Sequence, residues 1–470
     1  MAERKRVTRY QAVFLLAVAI VTIFLGLKVV EAPTPVVLAT SGIALIVIAI
    51  CMGFRYADLQ NDIIKVISSM LVPVLILLAV GALVGTWMIC GTVPYMITLG
   101  MRLISPKVFL VVVCFVCAIM SITSGTSWGT VSTVGVAFMG VSVGLNIPLA
   151  YTAGAVVSGA IFGDKLSPLS DSTVLTAAAC ELNVIDIIKH SLKSTLPAFL
   201  ISLMFYFVLG LSHQGGTIEG GNYSLILETL SANFKLTPLL LLPPVVVFAL
   251  ILFKRPTLPC FVAGIITAGV IAMIVQGSSL KDVALAVNAG FSGSTGAELV
   301  DSMVQRGGIN SMLSTVAILI ASGIFGAPLR TTGVIDVLLE EVRRFTSNGK
   351  VMMGCVFFIH ALFFMITGSF YVTCTVLGPM VAGLFGQYKL SKLNLGRILL
   401  DTGVGFSPIV PWAMMGAFIS NTLGVPVMDY LIYAPVSYLS IAISFLFLVT
   451  GFTIAKTDRV EMGTDRGVSA

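Results

Sequence analysis

Apolar runs of about 17–25 residues recur from one end of this chain to the other, each long enough to span a bilayer as a helix. In hydrocarbon every backbone polar group must be satisfied internally, so such runs fold as helices. Charged residues make up 10% of the chain, against about 25% in ordinary globular proteins. Mean hydropathy is +1.05. At 470 residues the chain is long enough for several soluble domains, and this composition excludes them. The expected fold is an all-α polytopic membrane protein whose partner is the lipid bilayer.

The 27 basic and 21 acidic residues do not form a nucleic-acid footprint, and no nucleic-acid partner is expected. Arg4, Lys5, Arg6 and Arg9 read as a cytoplasmic anchor before a first span near 11–30. The eight cysteines lie mostly inside apolar runs, and Cys114 with Cys117 is read as packing within a Val- and Phe-rich helix. There is no P-loop, HExxH or GxSxG, so neither an ATP-driven pump nor an intramembrane enzyme is expected, and no cofactor.

The apolar runs repeat. Ile122-Thr123-Ser124-Gly125 returns loosely as Ile366-Thr367-Gly368-Ser369, Ser167-Pro168-Leu169 as Ser407-Pro408-Ile409, and Gly91 as Gly333, at offsets between 240 and 244. The chain divides into N-terminal spans (1–66), a first repeat (67–212), a connecting stretch with two spans (213–309), a second repeat (310–452) and a tail (453–470). Each repeat carries five apolar segments and is preceded by two ordinary spans, about fourteen in all. Seven crossings between the repeat starts make the repeats inverted, an architecture of secondary transporters with substrate near the midplane. The stretches after His213 and Gln276 read as polar, Gly-rich loops, and Glu298, Asp301 and Arg306 as solvated. Gly81 and Gly85 form a GxxxG read as helix packing. The positive-inside rule places both termini in the cytoplasm. The exception is 332–350, where Arg343, Arg344 and Lys350 face outward unless the segment lies in the interface as an amphipathic helix.

Four stretches interrupt the long segments: 123–130 and 163–173 in the first repeat, 367–373 and 401–408 in the second. Non-helical backbone at membrane depth persists only where it is buried in protein or lines a wet cavity, and there it offers carbonyls and half-helix termini to ions. Ser124, Thr126, Ser127, Ser167, Ser369, Thr373 and Ser407 add neutral oxygen donors. Asp164, Asp171 and Asp401 add charge, and an intramembrane carboxylate is by default a functional-site hypothesis. A desolvated carboxylate that releases its proton to take Na⁺, and the reverse, couples the two ions by competition at one site.

Asp164 and Asp171 are the expected Na⁺ ligands, with Asp401 contributing from the second repeat. The plainer readings are a salt bridge of Asp164 to Lys165, an N-cap role for Asp171 and pairing of Asp401 with Arg397. At the 240 offset Asp164 aligns with Val404 and Asp401 with Ile161, so the scaffold is symmetric and the charge is not. Asp171→Asn, ahead of Asp164→Asn, is expected to abolish Na⁺-dependent transport. His360 reads as a core histidine.

The stretches 123–135 (TSGTSWGTVSTVG), 163–173 (GDKLSPLSDST), 306–312 (RGGINSM) and 407–412 (SPIVPW) resemble the NhaC-type Na⁺/H⁺ antiporters of bacterial inner membranes. The resemblance runs in order over essentially the whole chain. It implies an inverted-repeat ion transporter with elevator-like motion, and it carries site roles to Thr126, Ser127, Asp164, Ser167, Asp171 and Ser407. The run 401–406 is less polar than the family pattern leads one to expect. Proteins similar to this family exchange Na⁺ and H⁺, exchange malate for lactate, or carry amino acids. The expected activity is Na⁺/H⁺ exchange; the alternative is a Na⁺-coupled carrier of a small organic anion or amino acid. A homodimer is compatible with either.

Overall fold

A computed structural model describes residues 6–212, 221–253 and 255–456. Arg4, Lys5, His213, Lys254 and the tail beyond Lys456 lie outside the described residues, as do the side chains of Asn222 and Arg343. The described chain is helical throughout, with a single isolated bridge between Leu390 and Lys456 as its extended pairing. Eight helices are long and apolar enough to cross a membrane, and eleven spans result if each of three sharply bent pairs counts as one.

About fourteen apolar segments fits these helices, several of which are short or sharply bent. Gly91 and Gly333 take the left-handed conformation, with φ of 86° and 73°, which a glycine adopts without Cβ strain. Each ends a long helix, Leu71–Cys90 in the first repeat and Leu313–Thr331 in the second. The helices that follow, Thr92–Leu103 and Val334–Phe345, are amphipathic. The first of them turns by 71° from its predecessor.

That geometry removes the topological exception. Val7 donates its backbone N–H to the Thr332 carbonyl at 3.1 Å, and Arg6 and Arg9 pair with Glu340 and Glu341 at 3.1 and 3.4 Å. Tyr388 donates to the Thr346 carbonyl, Ser391 to that of Ala455, and Lys392 pairs with Glu181. The start of the chain, residues 332–350 and the last described residues therefore share one face, here called the first. Arg344 and Lys350 belong to it.

The second face is assembled by other contacts. The Thr92 hydroxyl donates to the Leu240 carbonyl at 2.8 Å and the Gln276 amide to the Cys90 carbonyl at 2.9 Å. Helix Val184–Ser212 begins beside Glu181 on the first face and, at 29 residues, is about 43 Å long. Its Gly210 packs against the Lys107 carbonyl, which puts Lys107 on the second face.

Two helical hairpins follow from these assignments. The first descends through Pro106–Ser124, turns at Gly125 and returns through Ser127–Thr130, a π-type turn and Val136–Gly144 to the second face. The second descends through Gly349–Thr367, turns at Gly368 and returns through Phe370–Gln387 to the first face. They enter from opposite sides, so the repeats are inverted. Beside each runs a broken helix: Leu149–Leu166 then Asp171–Cys180, and Lys392–Leu399 with a π-type turn to Val404, then Met414–Leu423.

Two expectations need correction. The stretches read as loops contain helices Gly221–Asn233, Leu280–Ala289 and Glu298–Val304; the second is fixed by a reciprocal cap between Ser279 and Asp282. Arg306 is not a solvated loop residue, because its guanidinium donates to the Leu423 carbonyl at 2.8 Å and lies against Gly424. The Gly81/Gly85 pair packs closely, as expected: a Cβ on Gly85 would stand 2.2 Å from the Ala286 oxygen in helix Leu280–Ala289, and one on Gly81 2.5 Å from the oxygen of Gly308, which donates to the Gly81 carbonyl at 2.7 Å.

Candidate functional site

The hairpin tips and the helix breaks meet, and the reason begins with two glycines. Gly125 and Gly368 end their descending helices with φ of 68° and 64°, and two residues separate each descending helix from the start of its return arm. A Cβ on Gly125 would sit 2.6 Å from the Cβ of Leu169 and 2.7 Å from its carbonyl carbon, so the first tip is pressed onto the first break. Ser167 completes that contact by donating its hydroxyl to the Ile122 carbonyl at 2.7 Å. In the second repeat Met414 donates its N–H to the Gly368 carbonyl at 2.9 Å and Trp412 its indole N–H to the Met365 carbonyl at 2.6 Å. Gly125→Val combines left-handed strain of roughly 1–2 kcal/mol with this clash. It is expected to lower the melting temperature in detergent and transport together, whereas Gly383→Ala, with open space around it, changes neither.

The first break follows from Pro168. A residue before proline is driven to extended backbone, and Ser167 is extended at φ −88°, ψ 129°. The helix restarts at Asp171, with Ser170 and not Asp171 in the N-cap position. Asp164, in the last turn before the break, is buried. Its carboxylate accepts from the Ser170 hydroxyl at 2.6 Å and the Ser127 hydroxyl at 3.1 Å, and Ser170 shares a hydrogen bond with Ser172 at 2.8 Å.

A cavity of about 30 Å³ opens beside this carboxylate. Ser127, Trp128, Asp164 and Ser172 line it from the first repeat, and Gly368, Phe370, Tyr371, Val404, Ser407, Met414 and Met415 from the second. Equivalent positions of the two repeats line it: Ser127 and Phe370 begin the two return arms, Trp128 and Tyr371 follow them, and Asp164 and its counterpart Val404 come from the two broken helices. The first repeat supplies the polar member of the first and last of these pairs. Asp164 is the one charged residue in the lining. A space this size holds about two water-sized particles, and its oxygens are the donors that hard cations prefer.

The other expected residues divide into three groups. Thr126 caps the return arm, accepting from Gly129 N–H at 3.3 Å, and Thr373 donates to the Phe370 carbonyl at 3.0 Å; both are buried next to the tips without lining the cavity. Ser369 is wholly buried and its hydroxyl has no protein partner. Ser124 and Asp171 line a different, open cavity of about 350 Å³ together with Leu169, Arg255 and Thr257. The two aspartates expected to share one ion thus face separate spaces. Among the described residues no cluster of three or more His, Cys, Asp or Glu side chains forms.

Asp401 has a partner that sequence reading missed. Its carboxylate pairs with the Lys165 ammonium, both side chains fully buried, and accepts from the Ser194 hydroxyl at 3.0 Å, while Lys165 also donates to Ser440 at 3.0 Å. Consecutive helical residues point in different directions, so Lys165 turns away from Asp164 and reaches the second repeat. Arg397 donates to the Thr453 hydroxyl at 2.6 Å. His360 is a core residue whose Nδ1 meets the Thr402 hydroxyl at 2.6 Å. Trp128, Ser172 and Tyr371 lay within the interrupted stretches, whereas nothing in the sequence set Met414 or Met415 apart.

The Na⁺/H⁺ antiporter family model matches residues 4–192 and 181–452, nearly the whole chain. The chain belongs to the Na⁺/H⁺ antiporter family. Among its curated relatives, the malate-2H⁺/Na⁺-lactate antiporter of Bacillus subtilis (strain 168) is 34% identical over 441 residues, 93% of each chain. The Na⁺/H⁺ antiporter NhaC of Alkalihalophilus pseudofirmus is 35% identical over 402 residues, 85% of this chain and 86% of the relative. The arginine/ornithine antiporter ArcD of Halobacterium salinarum is 30% identical over 407 residues, 85% and 82% of the two. Membership in the antiporter family agrees with a multi-pass fold whose helices break at a shared buried carboxylate.

Proposed function

We propose that this antiporter exchanges Na⁺ for H⁺ across the bacterial inner membrane, with both termini cytoplasmic, and that Asp164 holds either ion in turn. One observation carries the reading: the cavity where both hairpin tips and both breaks converge is about 30 Å³ and contains one carboxylate and no cationic side chain. A buried carboxylate without a counter-charge is costly, and a proton or a Na⁺ ion removes that cost. Ser127, Ser172 and Ser407 supply hydroxyl oxygens around the same space. A malate, lactate or amino acid is several times too large for it. Alternating access by movement of the hairpins and broken helices against the remaining spans would carry the ion past the barrier. Each unit of net charge moved is worth roughly 2.3 kcal/mol per 100 mV, so stoichiometry sets the driving force.

The test uses protein in proteoliposomes loaded with a pH-sensitive dye. Added Na⁺ alone is expected to move protons, and lactate, malate and amino acids to leave the rate unchanged. Silence with Na⁺ alone, followed by uptake of one labelled organic solute, would replace this reading with Na⁺-coupled transport of that solute.

The open cavity supports that second reading, since at about 350 Å³ it admits a small organic molecule and sets Asp171 with Arg255 in its lining. The two aspartates are separable on this basis. Asp171 is exposed, and Asp171→Asn is expected to slow Na⁺-driven proton movement by less than about tenfold, a change of under ~1.4 kcal/mol. This reverses the order of importance that the sequence suggests. A null phenotype for Asp171→Asn in the same vesicles would restore it.

A further inference from the structure

On the first face, away from the ion cavity, a groove of about 490 Å³ opens between helix Val184–Ser212 and the end of helix Pro435–Thr450. Its floor is apolar, made by Leu192, Leu196 and Phe447, and its mouth carries Lys189 and Lys193 with the Thr453 hydroxyl beside them. The two lysines are four residues apart, which stacks them on one side of the helix. Both are exposed, and no acidic residue lines the groove; Asp186, one turn earlier, stands outside it.

A further positive charge lies behind this mouth. Arg397 is only 3% exposed; it donates to Thr453 at 2.6 Å, lies 5.8 Å from the centre of the Phe447 ring, and leaves its Nε without a partner. The nearest carboxylate along its own helix, Asp401, is already engaged by Lys165 and Ser194. Two lysines thus stand at the mouth of a groove whose length is hydrocarbon-like, with Arg397 buried behind its Phe447 and Thr453.

We propose that this groove binds an anionic phospholipid, its phosphate held by Lys189 and Lys193 and an acyl chain laid along Leu192, Leu196 and Phe447. Charge complementarity selects the headgroup, because basic side chains at the membrane surface attract anionic lipids and a zwitterionic headgroup gains much less from them. The apolar floor selects a lipid over free phosphate.

The experiment uses the purified full chain, stripped of lipid in detergent and titrated with phosphatidylglycerol or phosphatidylcholine, with bound lipid counted by native mass spectrometry. Phosphatidylglycerol is expected to bind more tightly than phosphatidylcholine. The Lys189→Gln/Lys193→Gln variant is expected to weaken phosphatidylglycerol by about 10- to 30-fold and phosphatidylcholine much less. Leu196→Trp, which fills the groove, is expected to weaken both lipids, and Lys235→Gln/Lys281→Gln on the opposite face neither. Unchanged phosphatidylglycerol binding in the Lys189/Lys193 variant would overturn the proposal. So would protection of the protein against heating by inorganic phosphate equal to that by phosphatidylglycerol, since the acyl chain would then contribute nothing.

Discussion

Asp164→Asn stops Na⁺-driven proton movement, lowering the initial rate in proteoliposomes by about 100-fold or more, while the variant is purified as a folded protein. The fold survives because an amide oxygen still accepts from Ser127 or Ser170, the two hydroxyls that hold the carboxylate now. Function does not, because the charge is the property being exchanged. A charge-assisted contact contributes about 1.5–3 kcal/mol beyond a neutral environment, and each 1.36 kcal/mol is a factor of ten in rate. The amide also cannot take up and release a proton, so any Na⁺ binding that remains loses its dependence on pH. Isothermal titration with Na⁺ at two pH values separates these effects. Parental affinity that still changes with pH in Asp164→Asn would move the exchange site elsewhere, with Asp171 the next carboxylate to examine.

The second large effect concerns stability. Lys165→Met leaves Asp401 fully buried, with Ser194 as its remaining hydrogen-bond donor among the contacts described above. Breaking a buried pair by removing one partner costs about 3–5 kcal/mol, whereas replacing both partners by apolar groups is often neutral. Lys165→Met is therefore expected to be poorly folded, and Lys165→Met/Asp401→Leu to regain most of the loss, as read by thermal unfolding in detergent. The double variant should also exchange Na⁺ and H⁺, because neither residue lines the cavity. A double variant as unstable as the single one would mean that the two charges do not compensate each other.

These two residues are neighbours in the chain with unrelated duties, and that separation shows where sequence reading stopped. Helical geometry turns Lys165 about a quarter-turn or more from Asp164, but the sequence cannot say what stands on its side. The partner lies 236 residues away in the other repeat. The same limit produced the pairing of Asp164 with Asp171. Seven residues apart in a motif, they read as one site, yet Pro168 opens the helix between them and leaves Asp171 facing a separate, open cavity. Arg306 was lost for a similar reason, since its carbonyl acceptor at Leu423 belongs to a distant helix end.

The sequence by itself determined the solvent, the helical class, the duplication and the positions of all four breaks. These are properties of short windows: apolar length against bilayer thickness, Gly and Pro against helix continuation, and one repeat against the other. It also determined that the repeats differ in charge, because Asp164 has Val404 and Asp401 has Ile161 as its counterpart. Only the tertiary structure decided where the helices bend, because a left-handed glycine turns a helix without changing its apolar count. Only the tertiary structure decided that Trp128 and Tyr371, Ser127 and Phe370, and Asp164 and Val404 meet around one small space. Inversion of the repeats brings those residues together across the midplane, and a contact between opposed repeats has no trace in local spacing.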